Sequence, residues 1–186
     1  MRHNRATDKH NDFMKKIAAT VMVAALSVVT LVGCGSGNSD HLTGDELNDL
    51  LSTVGEKIVS EDTTLSEMTV DTSAGDDAEL NFTAACDADY SKIEGYYHAY
   101  ASDGTAGEIT IICVKKSDDV TSVMNSLKSH IDTRRGTMEN YSPEQVEIVD
   151  KAVVTHVGCY VGLFISEKSG LDKNNFVAEL EANGIQ

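Results

Sequence analysis

The sequence is short of positive charge: 15 Lys and Arg stand against 30 Asp and Glu, a net of −15 at pH 7. The imbalance deepens once the leading segment is set apart, because residues 1 to 33 hold five of the basic residues and two of the acidic ones, leaving 10 against 28, or −18. A field of that sign repels DNA, RNA and anionic lipid, which argues against nucleic-acid recognition through a basic patch; its plain consequence is solubility, and it attracts cations or basic partners. Also missing are the short motifs that carry chemistry. There is no CxxC or HExxH zinc spacing, no phosphate-binding glycine loop, no GxSxG nucleophile elbow and no EF-hand loop. A chain of 186 residues has the length of one ordinary domain with short appendages, so a single core is expected.

What is present begins with an apolar run, IAATVMVAALSVVTLV at residues 17 to 32, preceded by Lys15 and Lys16 and broken only by Thr20, Ser27 and Thr30. In a helix at about 1.5 Å per residue it would span roughly 24 Å, short of the ~30 Å hydrocarbon core, so it reads as a secretion signal rather than a permanent transmembrane helix. The run ends on Leu31, Val32, Gly33 and Cys34 and there resembles the lipobox of a bacterial lipoprotein precursor. The resemblance implies cleavage between Gly33 and Cys34 and a diacylglyceryl group on the Cys34 sulfur, with no other cofactor. It places the protein on the outer face of the cytoplasmic membrane, anchored by lipid, since two acyl chains hold a protein stably where one holds it marginally. On this reading residues 1–33 are the signal peptide, 34–42 a polar flexible tether and 43–186 one extracytoplasmic domain. The leading segment MRHNRATDKHNDF is rich in acid and histidine for a signal, whereas MKK at Met14 opens one in the usual way, so translation is expected to start at Met14.

Within the domain, Thr43 and Glu46 have capping-box spacing and Leu42 and Leu47 that of a hydrophobic staple, ahead of Leu47, Leu50, Leu51, Val54 and Ile58 on one helical face. Residues 61 to 77 are acidic and small, an excursion with at most a short strand near Met68. IEGYYHAYA and GEITIICVKK flank the turn residues Asp103 and Gly104 and predict a hairpin, 93–101 with 107–115. Ser117 and Asp118 then open a helix with Val120, Val123, Met124, Leu127 and Ile131 on one face, ending near Gly136. A short helix restarts with Ser142 as N-cap, Pro143 at the first helical position and Gln145 as capping-box partner. AVVTHV and CYVGLFIS around Gly158 predict a second hairpin, and Phe176, Val177 and Leu180 a last helix ending at Asn183 and Gly184. The sum is an α+β domain: a four-stranded, mainly antiparallel sheet from two hairpins, ββα-ββα, with helices packed on one face and a further helix in front.

The segment YSPEQVEIVDKAVVTHVGCYVGLFIS, preceded by GEITIICVKKSDDVTSVMNSLKSHIDTRR, resembles a family of Gram-positive bacterial lipoproteins catalogued only as a domain of unknown function. The likeness covers residues 79 to 181, and its most specific residues are Tyr141, Pro143, Glu144 and Gln145 with Gly158 and Tyr160. It implies a secreted, lipid-anchored α+β domain and brings no activity or catalytic residue.

Three further cysteines, Cys86, Cys113 and Cys159, are not part of that likeness. Their number is odd once Cys34 is acylated, so a monomer forms at most one pair. Cys113 alternates with Ile109 and Ile111, and Cys159 with Val161, Leu163 and Ile165, so both are read as small buried hydrophobes, with a Cys113–Cys159 disulfide the alternative. Nucleophilic thiol chemistry with His156 or His98 lacks an orienting third group. Asp71, Asp76, Asp77, Glu79, Asp87 and Asp89 could collect calcium but read as solvated loop carboxylates. Tyr96, His98 and Tyr100 share one face of a strand and form a candidate binding row, with ordinary half-buried strand aromatics as the alternative. The expected function is a non-enzymatic binding or interaction module at the cell envelope, its partner an unknown envelope protein or wall component. The alternatives are an envelope enzyme or enzyme inhibitor acting on the cell wall, and a calcium-responsive surface protein.

Overall fold

The computed structural model describes residues 42–65 and 67–186; the signal segment, Gly33 and Cys34 lie outside the described residues. The first helix, α1 (Gly44–Glu61), forms where the leucines recur at three and four: Leu47, Leu50, Leu51, Val54 and Ile58 are buried along one stripe. Thr43 stands at the N-cap in an extended conformation, yet its side chain makes no capping hydrogen bond. The apolar stripe therefore places the helix. At roughly 1.5–3 kcal/mol per large aliphatic side chain removed from water, it contributes on the order of 10 kcal/mol before chain entropy is counted.

The sheet has five strands, not four: β1 (Met68–Thr72), β2 (Ile93–Ala101), β3 (Glu108–Val114), β4 (Val153–Val157) and β5 (Tyr160–Ile165), in the order β1-β2-β3-β5-β4 with every neighbouring pair antiparallel. The two expected hairpins are present as β2–β3 and β4–β5. In the second, Gly158 carries φ +53°, the left-handed conformation that the first central position of a tight hairpin turn demands and glycine adopts without strain. The added strand is the MTVDT stretch, which pairs along its whole length with β2 from Met68↔Ala101 to Thr72↔Tyr97.

Helices cover both faces of the sheet, where the sequence reading put them on one. α1 and α5 (Ser169–Ala182) lie over one face, with Tyr97, Ala99, Ile109, Ile111, Tyr160 and Phe164 beneath them. On the other, α2 (Ala78–Ala85), α3 (Val120–Tyr141) and α4 (Val146–Val149) close over Tyr96, Ile112, Val161, Leu163 and Ile165. The physical reason lies in β3 and β5, each buried at every position; a strand apolar at consecutive residues has no solvent face and requires a layer on each side. Close approach sets the spacing of one layer: a Cβ on Gly55 would stand 2.3 Å from the Tyr97 ring, so α1 seats against β2 only because that position is glycine.

Two boundaries also differ from expectation. α3 continues past Gly136 to Tyr141, because Met138 is buried in the core and holds the last turn down. Ser142 makes no side-chain cap at the following short turn (Pro143–Gln145), and the Gln145 side chain accepts a hydrogen bond from the Ala106 N–H at 3.0 Å instead of capping its own helix.

Candidate functional site

Two buried polar clusters flank one end of the sheet, one under each helical layer. The first is centred on Glu108, the opening residue of β3, whose side chain is 1% exposed. Strand pairing places His98 opposite Thr110 and Tyr100 opposite Glu108, so these groups share the face beneath α3. From α3, His130 and Arg134 sit one turn apart and reach the carboxylate at 3.0 and 3.3 Å. The Thr110 hydroxyl donates to Glu108 at 3.2 Å; its single hydrogen being spent, it accepts from the His98 Nδ1–H at 2.9 Å. Burial alone would push the Glu108 carboxyl up, but the His130 hydrogen bond and the charges of His130, His98 and Arg134 hold it below the usual range. Burial is also the main cause that lowers His98, ahead of the opposing pull of Glu108.

This cluster also grips a loop. Arg134 donates to the carbonyls of Ala106 and Thr105 at 3.3 and 3.2 Å, while Gln145 receives the Ala106 N–H. The β2–β3 connection is thereby held from both sides, and Asp103 stiffens its tip by accepting from the Thr105 N–H and hydroxyl.

The second cluster lies under the opposite layer. Asp62 at the end of α1 and Asp172 in the first turn of α5 are both fully buried. Asp62 Oδ1 accepts from the Thr64 N–H and hydroxyl at 2.8 and 2.7 Å, and Lys168 Nζ lies 3.5 Å away. Ser166 donates to Asp172 Oδ2 at 2.5 Å and is tied to Ser169, whose hydroxyl receives the Ser166 N–H. Burial raises the Asp172 carboxyl to about 6, helped by the charge of Asp62, with Ser166 and Lys168 opposing. On Asp62, burial is outweighed by the hydrogen bonds from the Thr64 hydroxyl and N–H, by the polar neighbourhood of Ser166 and by the Lys168 charge, so that carboxyl is held low.

Between the clusters opens a cavity of about 190 Å³ whose wall includes Thr64 and Leu65, Asp103 and Thr105, Gln145, and Ser166 with Glu167. The α1–β1 turn, the β2–β3 loop and the end of β5 thus converge on one small polar space.

The residues singled out from sequence lie elsewhere or serve the frame. Tyr96 and His98 alternate with Tyr97 as expected, but both are buried beneath the α2–α3 layer; only Tyr100, stacked on His98 at 5.1 Å, is partly exposed. Cys86, Cys113 and Cys159 are unbonded: Cys113 is fully buried and its thiol is pushed up by burial, and Cys159 is half-buried in the β4–β5 turn. His98 faces α3 while Cys113 belongs to the core under α1, so the two are on opposite sides of the sheet. Among the described residues no group of three or more His, Cys, Asp or Glu could hold a metal ion, the acidic residues from Asp71 to Asp89 included. Of the family-like residues, Gln145 lines the cavity, whereas Tyr141 is 84% exposed. Glu108, Asp62 and Asp172 were not singled out in the sequence, where each is one acid among 30.

Among the described residues no helix is long and apolar enough to cross a membrane. No curated protein and no solved structure matches the chain. One family does match, over residues 67–166, a span that opens at β1 and closes at Ser166, earlier at both ends than the likeness read from the sequence and leaving α1 and α5 outside. Since that span is more than half of the chain, the protein belongs to the family described as Domain of unknown function (DUF4358).

Proposed function

We propose that this protein is a lipid-anchored, extracytoplasmic binding module of a Gram-positive bacterium, held on the outer face of the cytoplasmic membrane through a diacylglyceryl group on Cys34, and that its binding site is the cavity between the two polar clusters. The anchor is supported by the LVGC sequence that follows the apolar run. The binding role rests on one observation: three separate connections, two of them pinned by buried charged groups, converge on a preformed polar cavity.

At about 190 Å³ the space is smaller than the ~300–1,000 Å³ of pockets for drug-sized ligands. It suits one side chain of a larger partner. Asp103 and Glu167 bring carboxylates to its wall in a chain of net charge −15, so the occupant that fits is a lysine or arginine from a basic segment of an envelope protein.

The test is photocrosslinking on intact cells from two positions of the full chain: Thr105 in the cavity wall and Asp118 beyond the far end of β3. An adduct to a basic-faced envelope protein from Thr105 alone, lost in an Asp103→Lys, Glu167→Lys background, is the expected result. Equal adducts from both positions, none from either, or indifference to the charge reversal would overturn the assignment of the cavity.

A further inference from the structure

The second cluster contains an arithmetic of oxygens that its hydrogen bonds leave open. Asp62 Oδ1 is engaged by Thr64, and Asp172 Oδ2 by Ser166. Asp62 Oδ2 and Asp172 Oδ1 are both buried without a hydrogen-bond donor. The two side chains lie beside the same Ser166 and within interaction range of each other. Two carboxyl groups so placed inside a protein cannot both remain anions at small cost, and the cheapest donor for two orphaned oxygens is a single proton between them. The surroundings favour this over a cation. Only two carboxylates converge, Lys168 already stands beside Asp62, and Ser166 and Ser169 are committed to backbone and to Asp172.

We propose that Asp62 and Asp172 share one proton, and that this acid–carboxylate bridge is a proton-dependent clasp fixing the α1–β1 turn in the wall of the cavity. The bridge joins the end of α1 to the first turn of α5. Asp62 organises the turn through its own atoms: its N–H closes α1 onto Ile58, its carbonyl accepts the Leu65 N–H, and its carboxylate holds Thr64. Thr64 and Leu65 are the residues that this turn presents to the cavity. Just beyond, Glu67 is held at φ +52°, a left-handed conformation costly for a non-glycine residue, with its carbonyl bonded by the N–H and hydroxyl of Ser102. The segment stays in place only while both its ends are fastened.

The charged groups bearing on the pair come from each element packed there. Lys168, ahead of α5, faces Asp62 and also reaches Thr63. On α1, Glu61 is exposed, and it is occupied by Lys57 and by Asn175 of α5. Just past the end of β5, Glu167, in the cavity wall, is paired with Lys151. One cation beside two carboxylates compensates a singly ionised pair and not a doubly ionised one. When the proton leaves Asp172 for solvent, the two anions repel across a dry contact, and the side that yields is the exposed turn. The clasp is closed in mild acid and released toward neutral pH. Its role as regulation of binding rests on the assignment of the cavity given above; the clasp itself does not.

Two readouts on the full chain test it. Hydrogen exchange at the Thr64 and Leu65 amides, corrected for intrinsic rates, is expected to show protection falling about tenfold between pH 5 and pH 7.5. An infrared band of a protonated carboxyl should disappear over the same interval. Asp172→Asn, which keeps the shape and supplies a permanent N–H donor to Asp62, should remove the band and keep the turn protected at both pH values. Protection that is flat with pH in the native chain, or an Asp172→Asn protein that responds like the native one, overturns the clasp. The Thr105 crosslink is read at both pH values as well. A clasp that titrates while the crosslink stays constant upholds the clasp and removes its link to the cavity; a crosslink absent throughout defeats the cavity assignment alone.

Discussion

Replacing Glu108 by Gln removes one charge at the centre of the cluster beneath α3 and leaves its shape unchanged. The Glu108 carboxylate is 1% exposed and is met by His130 at 3.0 Å, Arg134 at 3.3 Å and the Thr110 hydroxyl at 3.2 Å. Removing one partner of a buried ion pair costs about 3–5 kcal/mol, because what remains is an uncompensated charge. Here the upper figure is excluded, since the His130 and Arg134 side chains keep 18% and 22% exposure and can lean toward water. A loss of about 3 kcal/mol is therefore expected, which at roughly 2–4 °C per kcal/mol for a chain of this size lowers the melting temperature by about 6–12 °C. Acid should act in the same direction. The Glu108 carboxyl is lowered by folding, so its contribution is present above the ordinary carboxylate value and is lost as pH falls through the folded one; the Gln variant should lack that part of the acid dependence. Urea unfolding of the domain at pH 7 and pH 4, with Arg134→Leu and the double variant to close the cycle, measures both effects. A loss below about 1 kcal/mol, or energies of the two variants that simply add, would show that the cluster is a set of independent contacts and refute the argument from compensation.

Asp172 should behave in the opposite sense. Its folded value of about 6 lies above the ordinary 3.8, so its favourable contribution is complete below 3.8 and lost as pH rises through 6, a change of about 3 kcal/mol; Asp172→Asn should abolish that slope and stabilise the protein at pH 7.5 in urea titrations. Gly55→Ala should destabilise by about 1–3 kcal/mol in thermal melts despite alanine's higher helix propensity, because the new methyl meets the buried Tyr97 ring. Cys34→Ala should move the protein from the membrane fraction to the soluble one, and persistence in the membrane fraction would remove the lipid-anchor assignment.

How much could be read beforehand depended on what each segment buries. The β2–β3 and β4–β5 hairpins were legible because their apolar runs stop at Gly104 and Gly158, residues that carry positive φ in the turns. β1 gave little signal since Thr69 and Val70 are exposed at the sheet edge, leaving no alternation to see. α2 went unread for a similar reason: eight residues long, it buries Ala78, Phe82 and Ala85 while Leu80 is 70% exposed. The second helical layer did have a signal, the consecutive apolar residues IICV in β3 and YVGLFI in β5, which demand cover on both sides. The site was harder, because a buried acid looks like a solvated one in a chain with 30 of them. Only Glu108 carried a hint, a carboxylate opening an apolar strand, with His130 and Arg134 four apart on the helix that follows.

The position of α1 and α5 outside the family-matched span has a practical corollary for anyone who would cut the protein down to that span. Tyr97, Ile109, Ile111 and Phe164 are each no more than 1% exposed, and the cover over them comes from those two helices. A fragment limited to residues 67–166 would present that face to water as a broad greasy plate, the kind of surface that drives chains to clump in solution. It would also lose Asp172 and Asp62, and with them one wall of the cavity's support. A piece worth expressing keeps both terminal helices and the Ile185 that packs behind α5, the lid that shields the middle from water.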